Sequence, residues 1–227
     1  MLLDVLPRLR AARLVLASGS PRRSEMLRGA GLEWLEIVPS RFDETLDKAR
    51  FASAAEYALA TARGKADEVA VRLAAAEAAA AAAGAAGAAG AGVAQPLVVI
   101  ACDTVVEAPT GEVLEKPRDA KDAARMLRLL SGRTHRVHSG VVLLGRGGAV
   151  LASFSHTTAV AVADLPEGLV LAHSASAEDL DKAGGYAIQG RAGSFVTHVD
   201  GCFNNVVGLP LHRVCDELRK IALATPE

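Results

Sequence analysis

Apolar residues along the chain form short continuous runs that are separated by polar, glycine-rich or proline-containing turns. Residues 14–17 and 97–106 are runs rich in Val, Leu, Ile and Ala, a pattern typical of buried strands. Residues 137–144 and 150–162 flank the sequence Gly-Arg-Gly-Gly and predict a long hairpin. The pattern therefore predicts a sheet with at least one buried strand.

Helix signals lie between these runs. Pro21 suits a first helical turn, where its missing N–H is not needed. From Ser53, with Glu56 three residues later as a capping box, apolar residues recur at helical spacing. Asp119 caps a further helix, and Pro210 opens the last one. Strands and helices interleave without a repeat of fixed period, so the predicted class is α/β or mixed α+β.

Two short segments give further strand predictions. Residues 33–39 are a candidate for a second strand near the start of the chain. Asp200 and Gly201 form a predicted hairpin turn between strands at 195–199 and 202–207.

Residues 74–95 are a low-complexity run of alanine and glycine. Each glycine there costs a helix about 1 kcal/mol relative to alanine. We therefore expect the helix that begins near Ser53 to fray into a mobile loop, and the run to be an expendable insertion. We expect residues 1–227 to form one domain with two lobes.

Composition narrows the function classes. The formal net charge is −1, so no global basic field exists to hold a nucleic-acid polymer, and any phosphate site must be a local cluster. The three cysteines are widely spaced and fit neither a disulfide framework nor a zinc site. Residues 1–13 do not have the pattern of a secretory signal, and no stretch supports a membrane span. We expect a soluble, cytoplasmic protein without a membrane partner.

The first candidate for chemistry is the turn from Ser18 to Arg23. It combines the hydroxyls of Ser18 and Ser20 with the guanidiniums of Arg22 and Arg23 on a predicted strand-to-helix turn. A helix N-terminus presents unpaired N–H groups, and arginine binds phosphate oxygens bidentately, so the turn resembles a phosphate cradle. An ordinary solvated turn is about as well supported by the physics alone.

Acidic residues supply the second candidate. Asp103, followed by Thr104, ends a buried strand, where a carboxylate can serve metal or water chemistry in the crevice beyond the sheet. Lys116 follows the next turn and can return to that cleft. Glu44 with Asp103 would give two oxygen ligands for magnesium. The alternatives are a turn-forming aspartate and simple surface acidity.

The third candidate is the glycine-containing segment 181–190, in which Tyr186 and Gln189 offer stacking and a bidentate amide. A structural turn is the alternative. His135 and His138 alternate along a strand instead of having helical ligand spacing, which argues against zinc. The chain has no Gly-x-Ser-x-Gly elbow, so covalent catalysis is not expected.

Taken in order, these segments resemble the Maf family of nucleoside triphosphate pyrophosphatases. The resemblance implies a Maf/ITPase-like fold, with an elongated mixed central sheet flanked by helices and a substrate cleft between two lobes. The matching blocks are residues 14–23, 102–104, 114–119, 130–135, 181–190 and 207–211.

The resemblance also implies roles for individual residues. Asp103 matches the family's catalytic acidic residue, expected to accept a proton from the attacking water and to help hold a divalent cation, magnesium or manganese. Further active-site positions of the family are matched by Glu44, Lys65 and Lys116. Positions that govern substrate choice are matched by Arg22, Thr104 and Gln189.

The Tyr-x-Ile-Gln-Gly form around Gln189 is similar to the branch acting on dTTP and UTP, not the branch acting on 7-methyl-GTP. The glutamine amide alone cannot exclude guanine, whose N1–H and O6 present the same donor and acceptor pair as uracil.

The family implies a homodimer. Rival functions are a non-catalytic nucleotide-binding regulator of cell division and a phosphotransferase. Cys102, where a smaller residue is usual, and the Ala/Gly insertion depart from the family pattern.

Overall fold

The computed structural model describes residues 1–82 and 95–224, and within them seven strands form one mixed sheet. The strands are β1 (Arg13–Leu16), β2 (Glu36–Ile37), β3 (Leu97–Glu107), β4 (Val113–Leu114), β5 (Thr134–Leu144), β6 (Val150–Val162) and β7 (Val196–Asp200). The helices are α1 (Leu6–Arg10), α2 (Pro21–Gly29), α3 (Ala54–Ala82), α4 (Ala120–Leu130), α5 (Glu167–Ala175), α6 (Phe203–Val207) and α7 (Leu211–Ala224). Short 3₁₀ helices lie at Lys48–Arg50, Arg146–Gly148, Ala183–Gly185 and Arg191–Phe195.

The order of strands in the sheet is β2-β1-β3-β5-β6-β7, and β4 pairs with β3. β2, β1 and β3 are parallel, because α2 and α3 cross over between them. β3, β5, β6 and β7 are antiparallel, and β5 with β6 forms the predicted hairpin. The sheet is therefore mixed, and the α/β class predicted from the sequence is confirmed.

Helix α3 packs across the sheet on a face of small residues. Its side chains Ala58, Ala62 and Ala66 are fully buried. On β5, a Cβ added to Gly140 would lie 2.3 Å from the Cα and N of Leu59, so the close contact between helix and strand requires glycine. This packing brings the middle of α3 against β3, the strand that carries Asp103.

Both ends of α3 are held by side chains. Ser53 Oγ accepts the N–H of Glu56 at 3.2 Å, as a capping box predicts, while the Glu56 carboxylate accepts the N–H of Ala52 at 3.0 Å. Near the other end, Glu77 pairs with Arg13 at 3.2 Å and Arg146 at 2.6 Å. The helix continues to Ala82, so the start of the alanine-rich segment is helical; the expectation of a mobile loop falls on 83–94, outside the described residues.

Two large clusters of buried side chains lie towards opposite ends of the long strands. One contains Leu14 and Ile100 from the parallel part of the sheet; the other contains Val106, Leu130 and Val160. The residues between them on β3 line the main cleft. Among the residues described, no helix is both long and apolar enough to cross a membrane.

Two strand predictions differ from the structure. Of residues 33–39, only Glu36–Ile37 pairs as a strand. The prediction of a strand at 202–207 is wrong, because Phe203–Val207 is a helix. The buried Asn205 amide donates to the carbonyl of Val137 at 3.0 Å and to Thr158 Oγ1 at 3.1 Å. These tertiary bonds override the local β propensity of the segment.

Candidate active site

A cleft of about 570 Å³ opens between the two clusters of buried residues. Segments far apart in the sequence meet there, among them the turn before α2, the middle of α3, the second half of β3, the residues after β4 and the loop before β7. Every residue predicted for the site lines this cleft: Ser18, Ser20, Arg22, Arg23, Glu44, Lys65, Asp103, Thr104, Lys116 and Gln189.

The first turn of α2 forms one wall. Pro21 begins the helix as predicted, and Ser20 stands at the N-cap without a side-chain capping bond. The positive end of the helix therefore borders the cleft. Arg22 makes no hydrogen bond or ion pair with the described part of the chain. Burial lowers the pKa of its guanidinium, and the nearby Asp181 opposes that shift. Arg22 is available to a negatively charged ligand.

Arg23 is used differently, although it is adjacent in sequence. Its Nε donates to the carbonyl of Gly208 at 2.8 Å, and its two terminal nitrogens donate to Ser18 Oγ and Thr104 Oγ1, each at 3.1 Å. Three of the five N–H groups of a guanidinium are thus directed at the protein. Arg23 ties α2 to β3 and to the turn before α7.

Thr104 belongs to the same network. Its hydroxyl lies 2.9 Å from Ser139 Oγ on β5 and donates to the carbonyl of Gly208 at 3.2 Å. Behind it, the Cys102 thiol donates to the same carbonyl at 3.4 Å. Burial raises the pKa of the Cys102 thiol, which agrees with its interpretation as a packing residue and not a nucleophile.

Asp103 and Lys65 form a buried ion pair at the floor of the cleft. Lys65 Nζ lies 2.7 Å from Asp103 Oδ1, and the two side chains are only 10% and 11% exposed. Glu44 Oε2 lies 2.9 Å from the same ammonium, but the Glu44 side chain is 50% exposed. The structure thus brings together the two carboxylates that the sequence predicted as partners.

The segment that carries Glu44 is held at both ends by aromatic rings. The ring of Phe42 lies on Gly64 of α3, where an added Cβ would approach ring atoms to 2.4 Å. The ring of Phe51 meets Tyr57 edge-on, with centroids 5.6 Å apart. Glu44 therefore reaches Lys65 from a short segment docked against α3.

The loop with Gln189 forms the opposite wall. Gly184 and Gly185 have φ values of 75° and 71°, a region that favours glycine. The buried Asp179 accepts the N–H of Ala187 at 2.9 Å. Inside the loop, the Tyr186 hydroxyl lies 2.7 Å from a ring nitrogen of His135, which supports the loop from β5.

His135 and Tyr186 are both deeply buried, and burial shifts both of their pKa values. The pKa of His135 falls to about 4, and that of Tyr186 rises. Both are therefore neutral at physiological pH. His138, by contrast, lies against Thr157 and Glu107 at 2.9 and 3.0 Å. The two histidines therefore have separate partners.

Comparison with known proteins places these observations in a family. Residues 13–221 match the family model described as Maf-like protein. The chain belongs to the Maf family. It is 42% identical to a dTTP/UTP pyrophosphatase of Anaeromyxobacter sp. (strain Fw109-5), covering 95% of this chain and 93% of that protein. It is 39% identical to a dTTP/UTP pyrophosphatase of Clostridium perfringens (strain SM101 / Type A), covering 89% and 93%.

A human relative is longer. The chain is 43% identical to the "probable bifunctional dTTP/UTP pyrophosphatase/methyltransferase protein" of Homo sapiens over 97% of its own residues. It spans 34% of that protein's length. The Maf family and the mixed α/β fold expected from the sequence are both confirmed by these comparisons and by the sheet.

Several residues around this Maf-family cleft could not be identified from the sequence. Ser139 is fully buried and bonds Thr104, but it was hidden within a predicted strand. A polar residue inside an apolar strand is the signal that could have found it. Tyr57 and Asp179 also lie behind lining residues. Tyr57 bonds Glu115, which is remote in sequence, and Asp179 bonds the N–H of Ala187 within the same loop region.

Proposed function

We propose that this Maf-family chain hydrolyses dTTP and UTP to the nucleoside monophosphate and pyrophosphate, with attack of water at the α-phosphorus. The observation that carries the proposal is the ion-paired carboxylate of Asp103 at the floor of a cleft lined by cations. The bacterial relatives named dTTP/UTP pyrophosphatase, which this chain covers almost fully, support the same reaction.

The charge of the substrate explains the cationic lining. A nucleoside triphosphate carries several negative charges, and more charge develops on the departing pyrophosphate in the transition state. Arg22, the positive end of α2 and the exposed Lys116 all border the cleft and can stabilise that charge. Arg23 contributes by holding Ser18 and Thr104 in place while keeping two N–H groups for a phosphate oxygen.

Asp103 is placed to accept the proton of the attacking water. Lys65 holds its Oδ1, whereas its Oδ2 makes no hydrogen bond within the residues described. The water oxygen forms the new bond to the α-phosphorus, and the bond from that phosphorus to the bridging oxygen breaks. Pyrophosphate leaves with the electron pair of that bond, and the water's proton passes to Asp103.

A divalent cation fits this site as a partner of the substrate. No group of three or more metal-ligating His, Cys, Asp or Glu side chains occurs within residues 1–82 and 95–224. Asp103 and Glu44, however, both approach one ammonium within 2.9 Å, and magnesium commonly binds through one or two carboxylates plus substrate phosphates. These two residues would hold magnesium or manganese, which supplies Lewis-acid stabilisation of the phosphate charge.

Base choice is assigned to the loop around Gln189. Its amide offers one acceptor and paired donors, which can meet the N3–H and O4 of uracil or thymine. Tyr186 and Ile188, which precede Gln189 in the same loop, also line the cleft. The loop therefore also sets the width that is available to a base. The proposal therefore places discrimination against purines in pocket size.

The test is pyrophosphate release from dTTP, UTP, CTP and GTP with magnesium or manganese, for the native chain and Asp103→Asn. Loss of a general base lowers turnover by about 10²–10⁴-fold, so we expect release from dTTP and UTP to fall by this factor in the variant. Nucleotide binding without pyrophosphate from any substrate would contradict the proposal and favour a nucleotide-binding regulator. The homodimer and the cytoplasmic location stay predictions, to be checked by light scattering and cell fractionation.

A further inference from the structure

Glu115 lines the cleft beside Lys116, yet both of its carboxylate oxygens are occupied by the protein. Oε1 accepts the hydroxyl of Tyr57 at 2.6 Å, and Oε2 accepts Lys48 Nζ at 2.8 Å. A carboxylate beside a triphosphate would repel it, and these two donors offset that charge. Glu115 therefore faces the substrate region with both carboxylate oxygens already bonded to side chains of the protein.

The main chain of Glu115 makes a third connection. Its carbonyl oxygen accepts the N–H of Gly184 at 3.0 Å, at the start of the turn that leads to Gln189. A Cβ added to Gly184 would lie 3.1 Å from Val106, so this turn packs tightly against β3. Glu115 thus connects the loop of Gln189 to Lys48 and to helix α3.

The partners of Glu115 belong to the segments that carry the proposed chemistry. Lys48 opens the 3₁₀ helix that follows Glu44, and its ammonium also stands 5.7 Å from the centre of the Tyr57 ring. Tyr57 lies two helical turns before Lys65 on α3 and is 2% exposed. Burial, followed by the bond to Glu115, raises the pKa of Tyr57, so its hydroxyl stays a donor at working pH.

We propose that Glu115 is a positioning residue that aligns the segment of Glu44, the adjacent Lys116 and the loop of Gln189 around one substrate. Lys48 and Tyr57 act through its carboxylate. This inference rests on the proposed pyrophosphatase activity, and it assigns Glu115 no contact with the reacting atoms. Because the Lys48–Glu115 pair is only half buried, its value lies in alignment and not in the stability of the fold.

The kinetic test compares Glu115→Ala, Lys48→Met and their double variant in UTP turnover. A misplacement of about 1 Å at a catalytic group costs up to about 10²-fold, so we expect Glu115→Ala to lower kcat/KM by about tenfold to a hundredfold. Lys48→Met should lower kcat and leave KM nearly unchanged, because it releases only the Glu44 side. Added to Glu115→Ala, Lys48→Met should have no further effect.

The matched control is Glu112→Gln. Glu112 lies just before β4, on the other side of that strand from Glu115, and pairs with Arg125 at 2.8 Å with 44% exposure of both side chains, but it does not line the cleft. We expect this variant to keep native kcat and KM. Glu115→Gln should recover part of the activity lost in Glu115→Ala, because its amide oxygen can still accept the Tyr57 hydroxyl.

Hydrogen exchange of the substrate-free chain gives a readout that does not depend on turnover. Glu115→Ala should speed exchange in residues 42–50, which the carboxylate holds through Lys48, and Glu112→Gln should not. Exchange at Gly184 should stay native-like in both variants, because its N–H bonds the main-chain carbonyl of Glu115, which alanine keeps. Native-like exchange and kinetics in Glu115→Ala would overturn the inference. The inference would also be overturned if Lys48→Met lowered UTP turnover by the same factor in the native chain and in Glu115→Ala. A native chain that releases no pyrophosphate would refute the proposed function, while the exchange result would still judge the alignment.

Discussion

Replacing Lys65 by Met removes the ammonium that pairs with Asp103 and keeps a side chain of similar length. The carboxylate, on a side chain that is 11% exposed, then stays at the floor of the cleft without its partner at 2.7 Å. Glu44 also loses its contact, but at 50% exposure its charge is well hydrated. The expected result is a clear loss of stability together with loss of pyrophosphate release.

The size of the effect follows from the burial of the pair. Breaking a buried ion pair by removing one partner costs about 3–5 kcal/mol, because an uncompensated charge remains in place. The cleft is open to water, so the lower end, about 3 kcal/mol, applies. For a chain of this length each kcal/mol changes Tm by about 2–4 °C, so Lys65→Met should melt roughly 6–12 °C below the native chain.

Urea unfolding of a double-mutant cycle isolates the pair. In the Asp103→Asn background no buried carboxylate is left to be stranded, so Lys65→Met should be far less costly there. Arg63→Met is the control, since Arg63 forms an exposed pair with Asp67 on the same helix, and it should cost less than about 1 kcal/mol. If the free energies of the Lys65 and Asp103 variants add within about 0.5 kcal/mol, the buried pair does not couple them and the reasoning fails.

Two further predictions concern the walls of the cleft. Gly64→Ala places a Cβ 2.4 Å from the Phe42 ring and should displace the segment of Glu44, which lowers turnover about tenfold or more. The alanine itself favours the helix by about 1 kcal/mol. Unchanged turnover in a stable variant would contradict the prediction. Burial lowers the pKa of His135 to about 4, so between pH 6.5 and 4 the imidazole binds a proton in the unfolded chain but not in the folded one. The free energy of unfolding therefore decreases as the pH decreases through this range. This amounts to a loss of about 2 kcal/mol between pH 7 and pH 5, which urea unfolding should show for the native chain; an equal loss in His135→Gln would disprove it.

Much of the fold could be predicted from local patterns. The continuous Val and Ile run gave β3 almost to its last residue, and Asp119 caps α4 by accepting the N–H of Asp122 at 2.8 Å, as expected from its position. The helix at Phe203–Val207 could not be predicted in this way. Its decisive contact, Asn205 with the β5 and β6 backbone, joins residues that lie far apart in the sequence.

In the candidate site too, some features could be predicted from local sequence and others depend on tertiary contacts. A helix N-terminus indicated the turn before α2 from physical reasoning, while resemblance contributed Lys65 and the roles of individual residues. The prediction that Asp103 ends a strand is wrong, because β3 continues to Glu107 and Asp103 lines the cleft from within the strand. The difference between Arg22 and Arg23 could not be predicted, because it depends on whether acceptors such as the Gly208 carbonyl lie within reach. The hydrogen bond from Tyr57 to Glu115 could not be predicted either, because it forms only when α3 packs against the sheet.

The central claim is that water attacks the α-phosphorus in the cleft around Asp103. Hydrolysis of UTP in water enriched in oxygen-18, followed by mass spectrometry of both products, tests it directly. The account predicts that the label enters the phosphate of UMP, that pyrophosphate stays unlabelled, and that Asp103→Asn lowers both products by about 10²–10⁴-fold. Label in pyrophosphate would place the attack at the β-phosphorus and contradict the account.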